Sequence, residues 1–341
     1  MSYQVTIQPS GHQFTVNTDE TILEAALREG VGLAYGCRNG VCGSCKGTLI
    51  SGDLDYGVYK ETALKPEEKV AGKALFCRAK PLSDLTLQAK EVSGTKDIVI
   101  KTLPCRVEKL EKRADDVMVV KIKLPATERL QFLAGQYIDL LLKDGKSRSY
   151  SLATPPHDDA LLELHIRHIP GGLFSDQVFS RLKERDILRL KGPLGSFFIR
   201  EDSDKPMIFI AGGTGFAPIK GMLEHAFAGH MDRQMVLYWG VRSLKDLYMV
   251  ELPQQWQREH PTFSFIPVLS SPEPADQWQG RTGYVHEAVL DDFEDLSGYQ
   301  VYACGAPIMV DSAHGAFTAK RGLNEEAFFA DSFVYAADVP T

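Results

Sequence analysis

The segment YGCRNGVCGSC, residues 35–45, restricts this chain more than any other. Cys37, Cys42 and Cys45 follow the spacing C-x4-C-x2-C, and Cys77, in ALFCRAK, comes after 31 intervening residues. The 341 residues hold only six cysteines, so their clustering is informative. A small secreted domain would instead carry a dense, even disulfide framework. Zinc modules usually present two C-x2-C pairs, but here the first gap is four residues and Cys77 is solitary. The plant-type [2Fe–2S] spacing is C-x4-C-x2-C…C, in which four thiolates hold two irons. Gly36, Gly40 and Gly43 interleave the thiols. Without Cβ atoms, they let the loop wrap tightly and turn N–H groups toward the sulfurs. The pattern predicts Cys37, Cys42, Cys45 and Cys77 as cluster ligands, with a zinc or redox-active thiol site as the alternative. Cys105 lies outside the constellation and reads as an ordinary thiol.

Around the loop, residues 3–8 and 12–16 read as a hairpin through Pro9-Ser10-Gly11. Asp19 is placed to cap a helix, TILEAALRE, that Gly30 ends. GTLISG and LTLQA look like further strands, giving a small sheet crossed by one helix. The stretch SGTKDIVIK, residues 93–101, reads as a polar joint leading into a strand. The block to about Arg200 is strand-rich: DVMVVKIKL, GQYIDLLLK, ALLELHIRH and DILRLKG, with one helix, SDQVFSRLKE, from Ser175. Turn signals between these runs predict a barrel or sandwich. From Pro206 the apolar runs MIFIA, MVLYWG, FSFIPVL and QVYACG alternate with helical stretches such as APIKGMLEHAFA and APIMVDSAHGAFTAKRG. That alternation predicts a parallel, doubly wound sheet. The expected fold is therefore multidomain, α+β followed by α/β. Its boundaries are 1–92, a linker over 93–101, 102–201 and 202–341.

Composition narrows the function. A hydrophobic content of 44% can fill several cores. The net charge of −7 argues against nucleic acid, whose binders carry a basic footprint. No apolar run approaches the ~18 residues of a membrane span. The start, MSYQVTIQPSG, alternates like a strand instead of pairing a basic start with an apolar run, so no signal peptide is expected. A cytoplasmic protein follows, in which thiols serve as ligands or reactive groups.

Two further constellations carry chemistry. In RSYS, Arg148 offers a planar, permanently charged fork suited to a pyrophosphate. Tyr150 offers an aromatic face for a flat ring, and Ser151 a short hydroxyl for a ring nitrogen. Downstream, PGGLFS places Gly171, Gly172 and Leu173 before a helix near Ser175, where backbone N–H groups can meet phosphate. GPLGSF, residues 192–197, adds tight turns. RSYS alone is more often a surface strand; the order of all three pieces is what carries weight. In IAGGTGFAPIK, the run Gly212, Gly213, Thr214, Gly215 lies between a buried strand and a helix with Pro218 in its first turn. Glycines let a backbone approach a pyrophosphate. In GVRSLKDLY, Arg242 suits a 2′-phosphate while Asp246 suits a free ribose, so charge does not decide between NADPH and NADH. Cys304, in YACGAPIMV, ends a strand where doubly wound sheets bind ligands; a buried packing role is the plainer reading.

Together these motifs resemble a plant-type [2Fe–2S] ferredoxin fused to a ferredoxin–NADP reductase-like flavoprotein, over essentially the whole chain. The runs SGHQF, GRTGYVHEAV, CGAPIMV and FFADSF are most similar to the CDP-6-deoxy-3,4-glucoseen reductase family. The resemblance implies a β-grasp ferredoxin domain, an antiparallel β-barrel FAD domain and a doubly wound NAD(P) domain. It also implies that Arg148, Tyr150 and Ser151 contact FAD, with Ser151 near the flavin N5. Gly172, Leu173 and Ser175 would serve the pyrophosphate, and Gly213, Thr214 and Cys304 the nicotinamide. Asp331 or Phe333 would supply an acidic or aromatic group near the flavin. Relatives with this layout mostly use NADH. The implied order is NADH, FAD, cluster and then a separate protein acceptor such as an oxygenase or hydroxylase. The alternative acceptor is a sugar-nucleotide dehydrase. A binding module with a vestigial flavin domain is a third reading, which the intact motifs oppose. Residues 1–92 carry ten Lys/Arg against eleven Asp/Glu, so no strong field steers docking.

Overall fold

Element order follows the three sequence blocks, and the fold is known from a computed structural model that describes residues 2–92, 94 and 98–334. The joint predicted over 93–101 falls partly outside these residues. The described chain separates into two units. One runs to Ile98 and is joined by the residues from Asp331; the other is Val99–Ala330.

In the first unit, β1 (Ser2–Gln8) and β2 (Gln13–Asn17) form the expected hairpin, followed by α1 (Ile22–Arg28). Then come β3 (Lys46–Ser51), β4 (Leu54–Asp55), α2 (Pro66–Val70), β5 (Lys73–Leu75), β6 (Lys80–Pro81) and β7 (Leu85–Gln88). The main sheet has the order β2-β1-β7-β3-β5, with β1 and β7 parallel, while β4 and β6 make a separate ribbon. Helix α1 buries Ile22, Leu23, Ala25 and Ala26 in a core with Val5, Ile7 and Phe76. This is the β-grasp. Its helix starts at Thr21, not Asp19. The Thr21 hydroxyl accepts from the Glu24 N–H at 3.2 Å while Glu24 accepts from the Thr21 N–H at 2.8 Å, a reciprocal cap that Asp19 cannot form from two residues upstream.

The second unit begins with β8 (Lys101–Ala114), β9 (Val117–Lys123), β10 (Tyr137–Leu141), β11 (Ser147–Ser151), β12 (Leu162–Arg167), α3 (Ser175–Ser180) and β13 (Ile187–Leu194). Its sheet order is β11-β10-β13-β8-β9-β12, and an antiparallel bridge between Leu152 and Leu164 links the two edges. The antiparallel barrel is therefore closed beside RSYS. Val107, Ile122, Ile138, Leu152, Leu164 and Leu190 fill it.

There follow β14 (Met207–Gly212), α4 (Phe216–Ala228), β15 (Met235–Val241), α5 (Glu251–Glu259), β16 (Phe263–Leu269), β17 (Arg281–Thr282), α6 (Val285–Asp292), β18 (Gln300–Gly305), α7 (Pro307–Arg321) and β19 (Phe328–Ser332). The sheet order is β17-β16-β15-β14-β18-β19, and β14 runs parallel to both neighbours. Residues Met207–Ala211 are fully buried, the continuous apolar run that a sheet covered on both faces requires. The chain winds outward from β14 on one side and returns on the other through β18, so the order reverses between them. Ligands of such sheets bind at the carboxyl ends of strands flanking that reversal.

Candidate functional site

The cysteine loop owes its shape to backbone that few residues tolerate. Arg38, Gly40 and Gly43 have φ of 61°, 72° and 76°. A Cβ on Gly40 would meet the Arg78 Cγ at 2.8 Å and the Val58 carbonyl oxygen at 3.1 Å, so glycine is required there for space as well as conformation. The fold aims N–H groups at sulfur: Asn39 donates to the Cys37 Sγ and Cys37 to the Cys42 Sγ, each at 3.4 Å. The four thiols fall into hydrogen-bonded pairs, Cys37 with Cys42 and Cys45 with Cys77. Cys37 is pulled down to about 5, first by the Cys42 thiol and then by the N–H groups of Asn39, Val41 and Cys42. Cys77 is lowered chiefly by Cys45. Among the described residues no three His, Cys, Asp or Glu converge on a single metal position. In each pair the partner, Cys42 or Cys45, is raised well above the usual thiol value by that same bond and by burial, so one proton is shared per pair. Two such sulfur pairs suit two irons with two protein ligands apiece. The residues fit the cluster. Cys37 and Cys42 are half-buried, whereas Cys45 and Cys77 are buried. Cys105 lies apart on β8, and burial alone pushes its thiol up to about 12.

The RSYS strand is β11. It pairs with β10 so that Tyr150 faces Ile138 and Ser151 faces Tyr137. Strand pleating puts Arg148 and Tyr150 on one side and Ser149 and Ser151 on the other. The Arg148 Nη1 donates to the Ser147 carbonyl at 2.7 Å, and the Tyr150 ring lies 5.8 Å from Phe174. Ser151 is buried. Gly171 has φ of 79° and Leu173 is exposed. Ser175 turns inward: its hydroxyl donates to the Ile169 carbonyl and accepts from the Ile169 N–H, both at 3.1 Å. A Cβ on Gly172 would lie 2.3 Å from that hydroxyl. Ser175 therefore clips the loop shut, and the helix behind it ends at Ser180, earlier than the sequence suggests.

The glycine turn after β14 is built against β18. Ala211 is in register with Cys304, and a Cβ on Gly215 would come 2.1 Å from the Cys304 carbonyl oxygen. Gly213 has φ of 53° and accepts a hydrogen bond from the Trp239 indole N–H at 2.9 Å. Trp239 itself stacks on Phe216 at 4.1 Å. Thr214 and Cys304 are buried, and Pro218 is the third residue of α4, where no intrahelical N–H bond is lost. Gly212, Gly213, Thr214, Gly215 and Cys304 thus come together at the reversal point. Arg242 is exposed just past β15. Asp246 accepts from the Ser243 N–H at 3.0 Å and its hydroxyl at 3.1 Å, so its carboxylate is occupied by its own turn. Asp331 is buried on β19, and Phe333 lies just beyond.

Motif reading missed several groups here. Arg167, on β12, sets its Nη1 2.8 Å from where a Gly213 Cβ would be, and Asp116 holds its Nε at 2.7 Å. His165 is buried with its Nε2 2.8 Å from Glu163 and its Nδ1 2.8 Å from the Tyr248 hydroxyl. An ionised carboxylate can only accept, so Nε2 carries the proton and the Tyr248 O–H donates to Nδ1. Burial lowers the His165 pKa more than Glu163 raises it, consistent with a neutral ring. Burial pushes the Glu163 carboxyl up, but the His165 bond and the Lys220 and Lys121 charges outweigh it and hold it well below the usual range. The one sequence signal was the apolar–polar alternation of ELHIRH, which marks a strand and nothing more.

Residues 5–82 match the family described as 2Fe-2S iron-sulfur cluster binding domain, residues 104–199 the oxidoreductase FAD-binding domain, and residues 209–315 the oxidoreductase NAD-binding domain. The chain is 41% identical to the CDP-6-deoxy-L-threo-D-glycero-4-hexulose-3-dehydrase reductase of Yersinia pestis, over 98% of this chain and 99% of that one. It is 38% identical to the phenol hydroxylase P5 protein of Acinetobacter pittii, over 99% and 96%. An Amycolatopsis cytochrome P450 reductase of known structure shares 36% identity at a TM-score of 0.81, covering 98% of this chain and 99% of the other. The chain belongs to the family of iron–sulfur flavoprotein reductases, in which a [2Fe–2S] ferredoxin domain is fused to FAD-binding and NAD-binding oxidoreductase domains.

Proposed function

We propose that this protein carries electrons from NADH through FAD and a [2Fe–2S] cluster to a separate protein acceptor. One observation supports the order of carriers best. Helix α4, which the glycine turn opens, packs against the segment that directly follows Ser151. A Cβ on Gly221 would lie 3.0 Å from the Thr154 carbonyl oxygen and 3.2 Å from that of Leu152. The nicotinamide-type and flavin-type motifs are therefore adjoining parts of one unit. A bound flavin supplies the chemistry that side chains lack, taking two electrons as hydride and releasing them singly.

In this reading Arg148 pairs with the pyrophosphate, Tyr150 lies on the ring system and Ser151 reaches its nitrogen edge. Gly171, Gly172 and Leu173 present backbone, while Ser175 keeps their loop in shape. Gly212, Gly213, Thr214, Gly215 and Pro218 shape the dinucleotide turn, Arg167 adds positive charge beside it, and Cys304 floors the nicotinamide position. Arg242 meets the adenosine end, and Asp331 and Phe333 border the flavin. Cys37, Cys42, Cys45 and Cys77 hold the irons. The half-buried Cys37–Cys42 pair makes the tip around Arg38–Ser44 the exit toward the acceptor. The domains are 1–92, 102–201 and 202–341, joined by 93–101. A cytoplasmic location is part of the same proposal; among the described residues no helix is long and apolar enough to cross a membrane.

The acceptor is an oxygenase or hydroxylase component. The identity to the Yersinia protein supports a second reading, delivery to a sugar-nucleotide dehydrase; reduction of one purified partner and not the other separates them. The deciding experiment is an anaerobic NADH titration followed by visible absorption and paramagnetic resonance. Flavin bleaching followed by a reduced-cluster signal is expected. Bleaching without that signal would leave only a flavin-dependent dehydrogenase.

A further inference from the structure

We propose that Lys220 is a positioning residue that fixes the spacing between the flavin side and the nicotinamide side of the reductase unit. The proposal rests on the reading above, that Ser151 meets the flavin and the glycine turn meets the nicotinamide. Lys220 lies on the second turn of α4, five residues after Gly215, and is 8% exposed. A buried ammonium is costly unless all its protons find acceptors. Lys220 has three: the Ala153 carbonyl at 3.1 Å, the Glu224 carboxylate at 2.9 Å and the Glu163 carboxylate at 3.4 Å. Two of these belong to the barrel. Ala153 is two residues beyond Ser151, so one side chain ties the helix that starts at the glycine turn to the strand end that carries the flavin-type hydroxyl.

The bracket continues past Lys220. Glu163 also accepts from Lys121 at 3.3 Å and from His165, which accepts from Tyr248. Tyr248 lies edge-on to Trp239 at 5.2 Å, and Trp239 donates to the Gly213 carbonyl. The glycine turn is thus held from two directions, through its helix by Lys220 and through its carbonyl by the Tyr248–Trp239 pair. Both routes end on Glu163. Replacing a buried ion pair by well-packed apolar groups is often neutral for stability, so the role assigned to this network is to select one arrangement, on which hydride transfer depends. Lys220 touches neither proposed ligand segment directly, so its effect is on placement.

The test uses the full-length holoprotein and rapid anaerobic mixing with NADH and with NADH deuterated at the transferred position. Lys220→Met keeps most of the side-chain volume and removes the three bonds. Gly221→Ala keeps Lys220 but inserts a Cβ into the contact with residues 152–154, although in a helix alanine alone is favourable. Both variants should retain FAD yet reduce it roughly tenfold or more slowly at saturating NADH. The NADH concentration giving half-maximal rate should stay near wild type, and the isotope effect should rise. A merely structural lysine would lower the melting temperature without changing the saturating rate or isotope effect. A wild-type rate and isotope effect in Lys220→Met would overturn the proposal, whatever Gly221→Ala shows. If Lys220→Met does not fold, Lys220→Gln, which removes the charge but keeps a donor, decides on the same criterion. Gly213→Val, run in parallel, should raise the half-saturating NADH concentration; if it does not, the nicotinamide assignment fails and the proposal falls with it.

Discussion

The cysteine loop and the reductase seam solve the same problem, holding a redox group in place, by opposite means. In the loop, three of four proposed ligands lie within nine residues, and their shape comes from backbone: positive φ at Arg38, Gly40 and Gly43 and N–H groups turned to sulfur. In the seam, side chains join groups far apart in the sequence, 67 residues for Lys220 and Ala153 and 83 for His165 and Tyr248. The loop depends on local conformation. The seam depends on the whole unit being folded correctly, and charge burial makes it sensitive to small displacements.

Four measurements sharpen that contrast. The largest effect is expected from Cys42→Ser. It should abolish the reduced-cluster paramagnetic signal and one-electron delivery to cytochrome c, while NADH-driven dye reduction at the flavin stays near wild type. An equal fall in dye reduction with FAD still bound would mean that the carriers are ordered differently. Next comes Gly215→Ala. Its new Cβ would sit 2.1 Å from the Cys304 carbonyl oxygen, so β14 and β18 must shift. Overpacking of this kind costs about 1–3 kcal/mol. NADH-dependent flavin reduction should fall, and the cluster signal obtained with dithionite should be unchanged.

The third effect is a pH dependence confined to the reductase unit. The folded pKa of Glu163 is depressed, so its stabilisation is present above the unfolded carboxylate value of ~4.3 and is lost as pH falls below it. The lowered His165 value acts in the same sense below ~6.5, whereas the Glu224 carboxyl, raised by burial, opposes both. Urea midpoints followed by flavin release should therefore drop steeply in acid. Glu163→Gln should be less stable at neutral pH but show a flatter acid limb, and parallel curves would refute the assignment. The smallest effect is Thr21→Ala, which removes the reciprocal cap of α1 and should cost about 1 kcal/mol. It should lower the melting transition of the ferredoxin unit and leave flavin reduction by NADH unaltered.

The same contrast explains what was legible in the sequence. The cysteine spacing pointed to a dinuclear centre because three of the proposed ligands sit in a loop whose own residues encode its turns. QVYACG marked β18 from end to end because a strand buried on both faces must be continuously apolar. The α1 cap was misplaced by two residues because Asp19 and Thr21 are both good caps, and only Glu24 three positions after Thr21 discriminates. The resemblance put Ser175 at the pyrophosphate, and its hydroxyl is engaged by Ile169. Lys220 and Tyr248 carried no signal, and His165 only that of its strand. A lysine in a helix or a histidine in a strand becomes informative only when the fold shows which distant carboxylate or hydroxyl lies opposite.

Trp239 gives this arrangement an optical consequence. The chain has three tryptophans, and this one is fully buried, stacked on Phe216 and hydrogen-bonded to the carbonyl of Gly213. Indole emission shifts with the polarity and hydrogen bonding around the ring, so any rearrangement of the glycine turn is written into the intrinsic fluorescence of the protein. The glycine turn thereby contains its own reporter, with no label needed to follow it.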